Sequence, residues 1–186
     1  MKIKRVVLWI LVLMTMSLSL NASAAIFTEK GTLENRQYTN GSFSCTLPEG
    51  FKIVYFDEEK QAVVFEGKED ANGFIPTLTI YVGERLLALD ELTEADEKAF
   101  IQQAYEGTNI LKMQDATEKM GETEVHRFLH LYNTPDGRMN LSLSIYANIG
   151  EEHAVEITYQ GYTATRSAPD DLRALEELLN SIAFGE

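Results

Sequence analysis

The 186-residue chain has one cysteine, three histidines and only 16 basic residues against 29 acidic ones. One cysteine cannot close an internal disulfide, so no disulfide framework holds this fold. It sits in Phe43-Ser44-Cys45-Thr46-Leu47, where the odd positions are apolar. On a strand that pattern puts the thiol on the core side. A nucleophilic thiol needs exposure and a base beside it, so Cys45 reads as structural. The shortage of positive charge opposes binding to nucleic acid and to anionic lipid. The sequence also lacks G-x-S-x-G, H-E-x-x-H, a phosphate-binding P-loop, G-x-G-x-x-G and a twelve-residue calcium loop. No catalytic residue, cofactor site or metal site is assigned from it.

Long apolar runs are missing as well. The longest, Val6 to Leu20, is about 15 residues, short of the roughly 20 that a membrane helix needs. Thr15, Ser17 and Ser19 dilute it. Lys2, Lys4 and Arg5 precede it and Ala22-Ser23-Ala24 follow it. A basic n-region, a short h-region and an A-x-A site make residues 1–24 a cleavable signal peptide, cut between Ala24 and Ala25. An uncleaved anchor is the competing reading. No cysteine stands just after the run to take a lipid. The expectation is an exported chain, periplasmic or extracellular, with no membrane span after cleavage. The leader holds three of the 16 basic residues and none of the 29 acids. The mature charge is therefore −16, against −13 for the whole chain.

What is present reads as one α+β domain over residues 42–186, after a polar N-terminal lead-in over 25–41. Ser42–Leu47, Phe51–Phe56 and Gln61–Glu66 are short strands joined by turn chemistry at Pro48-Glu49-Gly50 and Asp57-Glu58-Glu59-Lys60. Thr77–Val82 alternates strictly. Residues 86–106 read as a helix opened by Thr93-Glu94-Ala95-Asp96. Residues 109–119, 122–132, 138–148 and 153–159 follow as strands, an antiparallel meander. Pro169, Asp170 and Asp171 open a final helix. Its apolar stripe, Leu172, Leu175, Leu178, Leu179 and Ile182, must lie on the sheet's apolar face.

Candidate chemistry is sparse. His126 and His130 lie four residues apart. On a helix they would meet; on a strand they stand about 13 Å apart at roughly 3.3 Å per residue, too far to share one zinc. His153 opens another strand. The carboxylate runs Asp57-Glu58-Glu59, Glu94 with Asp96 and Glu97, Glu151-Glu152, Asp170-Asp171 and Glu176-Glu177 read as solvated turns and helix surfaces, with a loose calcium site as the alternative. Tyr162 and Arg166, between the last strand and the last helix, are the candidate binding loop, being residue types enriched at interfaces.

The opening Phe43-Ser44-Cys45-Thr46-Leu47-Pro48-Glu49-Gly50-Phe51, the mid-chain helix, the closing meander and the ending Asn180-Ser181-Ile182-Ala183-Phe184 resemble the PsbP/Mog-like superfamily over residues 42–185. Phe51 stands where many members carry tryptophan. The resemblance implies an antiparallel sheet with flanking helices, an α-β-α sandwich. It also implies a non-enzymatic role, since members include photosystem accessory subunits, a Ran-binding nuclear protein and exported bacterial proteins. It carries no shared functional residues. The functional expectation is an exported accessory or binding protein whose partner is an unknown protein or small ligand. A secreted or periplasmic hydrolase with an unplaced carboxylate or histidine is the alternative.

Overall fold

Period-two alternation becomes two antiparallel sheets. The structure is a computed structural model and describes residues 25–69, 73–86, 88–89, 92–93, 95, 97, 109–133, 137, 139–162 and 168–185. The smaller sheet holds β1 (Thr32–Glu34), β2 (Gln37–Asn40), β3 (Phe43–Thr46) and β11 (Ala183–Phe184), in that order. The larger holds seven strands: β4 (Lys52–Asp57), β5 (Ala62–Glu66), β6 (Thr77–Glu84), β7 (Asn109–Met120), β8 (Thr123–Asn133), β9 (Met139–Ile149) and β10 (His153–Tyr162). Its order is β4-β5-β6-β10-β9-β8-β7. One helix, α1 (Ala168–Asn180), precedes β11.

The core lies between one face of the large sheet and a layer made of the small sheet and α1. Ile80, Leu143, Ile145 and Ile157 come from the large sheet, Phe43 and Cys45 from β3, and Leu175, Leu178 and Leu179 from α1; all are buried in one cluster. The leucine stripe thus packs where its spacing directs it, with Leu172 and Ile182 at the margin. Cys45 is fully buried, and burial pushes its thiol up to about 12.

The lead-in needs correction. Its polar residues hide two short strands, and Phe27 and Tyr38 inside it are fully buried. Tyr38 packs edge-on against Phe65, with ring centroids 5.1 Å apart. Asn35 and Arg36 turn the β1–β2 hairpin with φ of 48° and 72°, the paired positive angles of a tight primed hairpin turn. Gln61 holds the segment down. Its Oε1 accepts the Ile26 and Phe27 amides at 2.6 and 2.7 Å, and its Nε2 donates to the Phe27 carbonyl at 3.0 Å.

Helices flank the sheet only in part. On the core side α1 shares its layer with strands. The expected helix over 86–106 lies largely outside the described residues. Where it is described, the Glu97 amide donates to the Thr93 carbonyl at 3.2 Å, the four-residue spacing of a helical turn.

Candidate functional site

The second face of the large sheet carries the chain's buried polar chemistry. Register sets its rows. Thr117, His126, Tyr146, Glu156 and Tyr81 stand side by side across five strands. Asp115, Phe128, Ser144, Thr158 and Thr79 form the next row, and His130, Ser142 and Gln160 fall in a third. An open face would keep such groups in water. Here His126, His130, Ser142, Ser144, Glu156 and Thr158 are all buried.

The cover comes from the chain that leaves β6. Asn148 grips it at the start, its Oδ1 accepting the Leu86 amide at 2.9 Å and its Nδ2 donating to the Leu86 carbonyl at 3.0 Å. Leu86, Leu89 and Leu92 pack on Phe128 and Tyr146. Then Glu97 enters the seam. Ser144 Oγ donates to Glu97 Oε1 at 2.8 Å, and the Tyr146 hydroxyl donates to Oε2 at 3.2 Å. Oε1 also stands 3.5 Å from His130 Nε2. Of the run Glu94, Asp96 and Glu97, this last acid is therefore no solvated surface residue; it is 3% exposed.

Burial sets the protonation states. It raises the Glu97 carboxyl, against the pull of the Ser144 and Tyr146 hydrogen bonds. It lifts Glu156 to about 8, helped by the Glu97 charge and opposed by Thr158 and Tyr146. The Tyr146 hydroxyl lies against both carboxyls and is pushed well above its usual range. A tyrosine has one proton to give. With Glu156 protonated, the hydrogens run from Glu156 to Tyr146 to Glu97. His130 goes the other way: burial lowers it to about 4, so its ring is neutral. Among the described residues neither of its ring nitrogens has a hydrogen-bond partner.

This order of groups is not that of a nucleophilic triad. There the histidine stands between hydroxyl and carboxylate and takes the hydroxyl proton. Here Ser144 and His130 both meet Oε1 of Glu97, and Ser144 gives its proton to that carboxylate rather than to the imidazole.

Searches with the sequence match no family model and no curated protein. Solved structures do match. Cyanobacterial PsbP (CyanoP) from Synechocystis is 12% identical with a TM-score of 0.50, the match covering 88% of this chain and 97% of that one. The fold is PsbP-like. A Bacteroides thetaiotaomicron protein is 12% identical with a TM-score of 0.51, over 78% of this chain but 46% of that longer one. LpqN, involved in cell envelope biogenesis of Mycobacterium tuberculosis, is 10% identical with a TM-score of 0.48, over 86% and 87%.

On the PsbP-like sheet the expected histidine pair is a strand pair. His126 and His130 share a face of β8 with Phe128 between them, its ring lying parallel to that of His130 (8° apart) and 4.7 Å from that of His126. Thr117 Oγ1 meets His126 Nδ1 at 2.9 Å. His153 stacks on Phe184, centroids 4.1 Å apart. Tyr162 is not in a loop: β10 runs on past Tyr159 and pairs Tyr162 with Asn140. Arg166 lies outside the described residues, as do residues 1–24 with Ala24; Ala25 is exposed. Among the described residues no helix is long and apolar enough to cross a membrane.

Sequence reasoning missed Glu97, Tyr146 and Glu156. The signal was there in positions 126, 128, 130 and 132 of β8, which read His, Phe, His, Tyr and are too bulky for a solvent face.

Proposed function

We propose that this chain is an exported, non-enzymatic accessory protein that acts outside the cytoplasmic membrane by binding a protein or small ligand. The observation that carries this is the sealing of its one histidine–carboxylate contact with both partners buried among the described residues. His130 is 0% and Glu97 3% exposed, and the serine beside them is arranged against nucleophilic attack. Such a seam locks a covering segment onto a sheet and leaves the outer surface for contact. The PsbP-like fold and the signal-type leader agree with the reading. Crosslinking the exported protein to its neighbours in the cell envelope and secreted fraction tests it. A recurrent partner or ligand is the expected result.

A hydrolase is the second reading, and one observation favours it. One carboxyl raised by burial, Glu97, and another lifted to about 8, Glu156, near the neutral imidazole of His130 are the stock of acid–base catalysis. A broad ester, amide and glycoside screen decides. Turnover abolished by Glu97→Gln in a folded protein would replace the accessory reading.

A further inference from the structure

A basic concavity lies at the seam of the two sheets. β1 is the outermost strand of the small sheet and β4 that of the large one. Between them runs a groove of about 640 Å³, lined by Lys30, Arg36 and Lys52 and floored by Leu33, Phe51 and Ile53. Its volume falls within the roughly 300–1,000 Å³ of small-molecule sites. No acidic residue lines it, although 29 of the 186 residues are Asp or Glu. Glu29, Glu34 and Glu49 each neighbour a lining residue in sequence, yet none of them contributes to the walls. A mature surface of −16 that gathers three cations around an apolar floor is selecting charge there.

The cations are also available. Arg36 is pinned: its Nε donates to the Leu47 carbonyl at 2.7 Å, and its own carbonyl accepts the Leu47 amide at 2.8 Å. That fixes the guanidinium while its outer nitrogens meet only Glu177, at 3.9 Å and in solvent. Lys52 is 70% exposed and stands 3.8 Å from Glu66. The Arg36–Glu177 pair is long and exposed and worth little, so an anion displaces it at small cost; Glu66 is nearly buried, and the exposed Lys52 ammonium meets an anion with its other hydrogens while keeping that partner. Lys30 has no ion pair among the described residues.

We propose that this groove binds a soluble amphipathic organic anion, a carboxylate or phosphate monoester on a short apolar body. The anion sits among Lys30, Arg36 and Lys52, with the planar guanidinium gripping two oxygens, and the apolar body lies on Leu33, Phe51 and Ile53. The rest of the surface selects the source: at −16 it repels anionic bilayers, which favours a free ligand over a lipid headgroup. This rests on the binding-protein reading above and gives it a ligand class.

Titration calorimetry of the exported protein with octyl phosphate tests it. The expected result is saturable binding at one site that weakens with added salt and becomes at least about tenfold weaker in Lys30→Gln/Lys52→Gln, whose folding is checked by its melt because Lys52 pairs with the nearly buried Glu66, and weaker also in Lys30→Gln alone, which melts like wild type because that side chain is exposed. Inorganic phosphate and octyltrimethylammonium bind far more weakly, each lacking half of the recognition. Absent binding, unchanged binding in the double variant, or equal binding of octyltrimethylammonium overturns the proposal. Tighter binding to phosphatidylglycerol vesicles, or to hexaglutamate, overturns it in favour of a membrane or a protein. A negative titration beside a recurrent crosslinked partner removes the groove ligand and leaves the accessory reading standing.

Discussion

Ser144 donates its hydroxyl to Glu97 at 2.8 Å across 47 positions of the chain. That bond ties the turn begun at Thr93 to the centre of a seven-stranded sheet. Removing the acceptor leaves the buried Ser144 hydroxyl without its partner and takes one of the two carboxyls from the Tyr146 hydroxyl, at about 1–3 kcal/mol for each lost bond. Glu97→Ala is therefore expected to lower unfolding free energy by roughly 2–5 kcal/mol in urea. Glu97→Gln keeps an acceptor and sheds the buried charge, so it costs far less at pH 7. Equal losses for the two variants would show that the carboxyl does not anchor this segment.

The seam shapes stability against pH. Glu156 is raised from 4.5 to about 8 in the folded state. Its contribution is complete below pH 4.5 and is lost as pH rises through 8, amounting to on the order of 3 kcal/mol by pH 7. Glu156→Gln should match wild type near pH 4.5 and melt higher at pH 8. A variant that melts lower than wild type at both values sinks this account.

His130 bounds the acid side. Its folded value is lowered from 6.5 to about 4, so its contribution is present above pH 6.5 and lost as pH falls through 4. Between pH 4.5 and 6.5 the slopes of these two residues oppose and cancel each other, leaving the fall with rising pH that the raised Glu97 carboxyl adds. Below that range His130→Leu should lose less stability than wild type, by on the order of 3 kcal/mol at most. Thermal melts from pH 3 to 8 check both limbs.

Helix α1 closes the core. Leu178 is fully buried, and Leu178→Ala should cost about 2–5 kcal/mol by chemical denaturation. Deleting residues 170–186 also removes β11 and the Phe184 ring, which stacks on His153 and meets Phe43 at 5.4 Å. The truncated chain should show no cooperative melt.

Gln61 is the clamp on the segment of Ile26 and Phe27. Gln61→Ala removes three hydrogen bonds to Ile26 and Phe27. Hydrogen exchange at the Phe27 amide should accelerate by more than tenfold while the amides of β9 keep their protection. Uniform acceleration across both would mean global destabilisation instead.

Strong local patterns were readable in advance. Leu141, Leu143 and Ile145 alternate against Asn140, Ser142 and Ser144, and α1 carries its leucines on one stripe, so β9 and the helix follow from spacing. β1 and β2 escaped because three- and four-residue polar strands have no period to detect, and their order comes from Tyr38 and Phe27 reaching into a core assembled elsewhere. The seam escaped because alternation gives the face of a side chain but not what covers it. Glu97 is buried by a contact nearly fifty positions away, and nothing in Glu94, Asp96 and Glu97 alone separates the inward acid from its neighbours.

Cys45 lies on β3, beside β11 and in one core cluster with the leucines of α1, shut from solvent. In an oxidising compartment a bare sulfur is a hazard, since two chains can weld together through it before either has finished folding. The last turns of the polypeptide therefore act as a stopper. Until they dock, each newly made copy is open to covalent pairing with the next, and afterwards reagents for free thiols should find nothing to label.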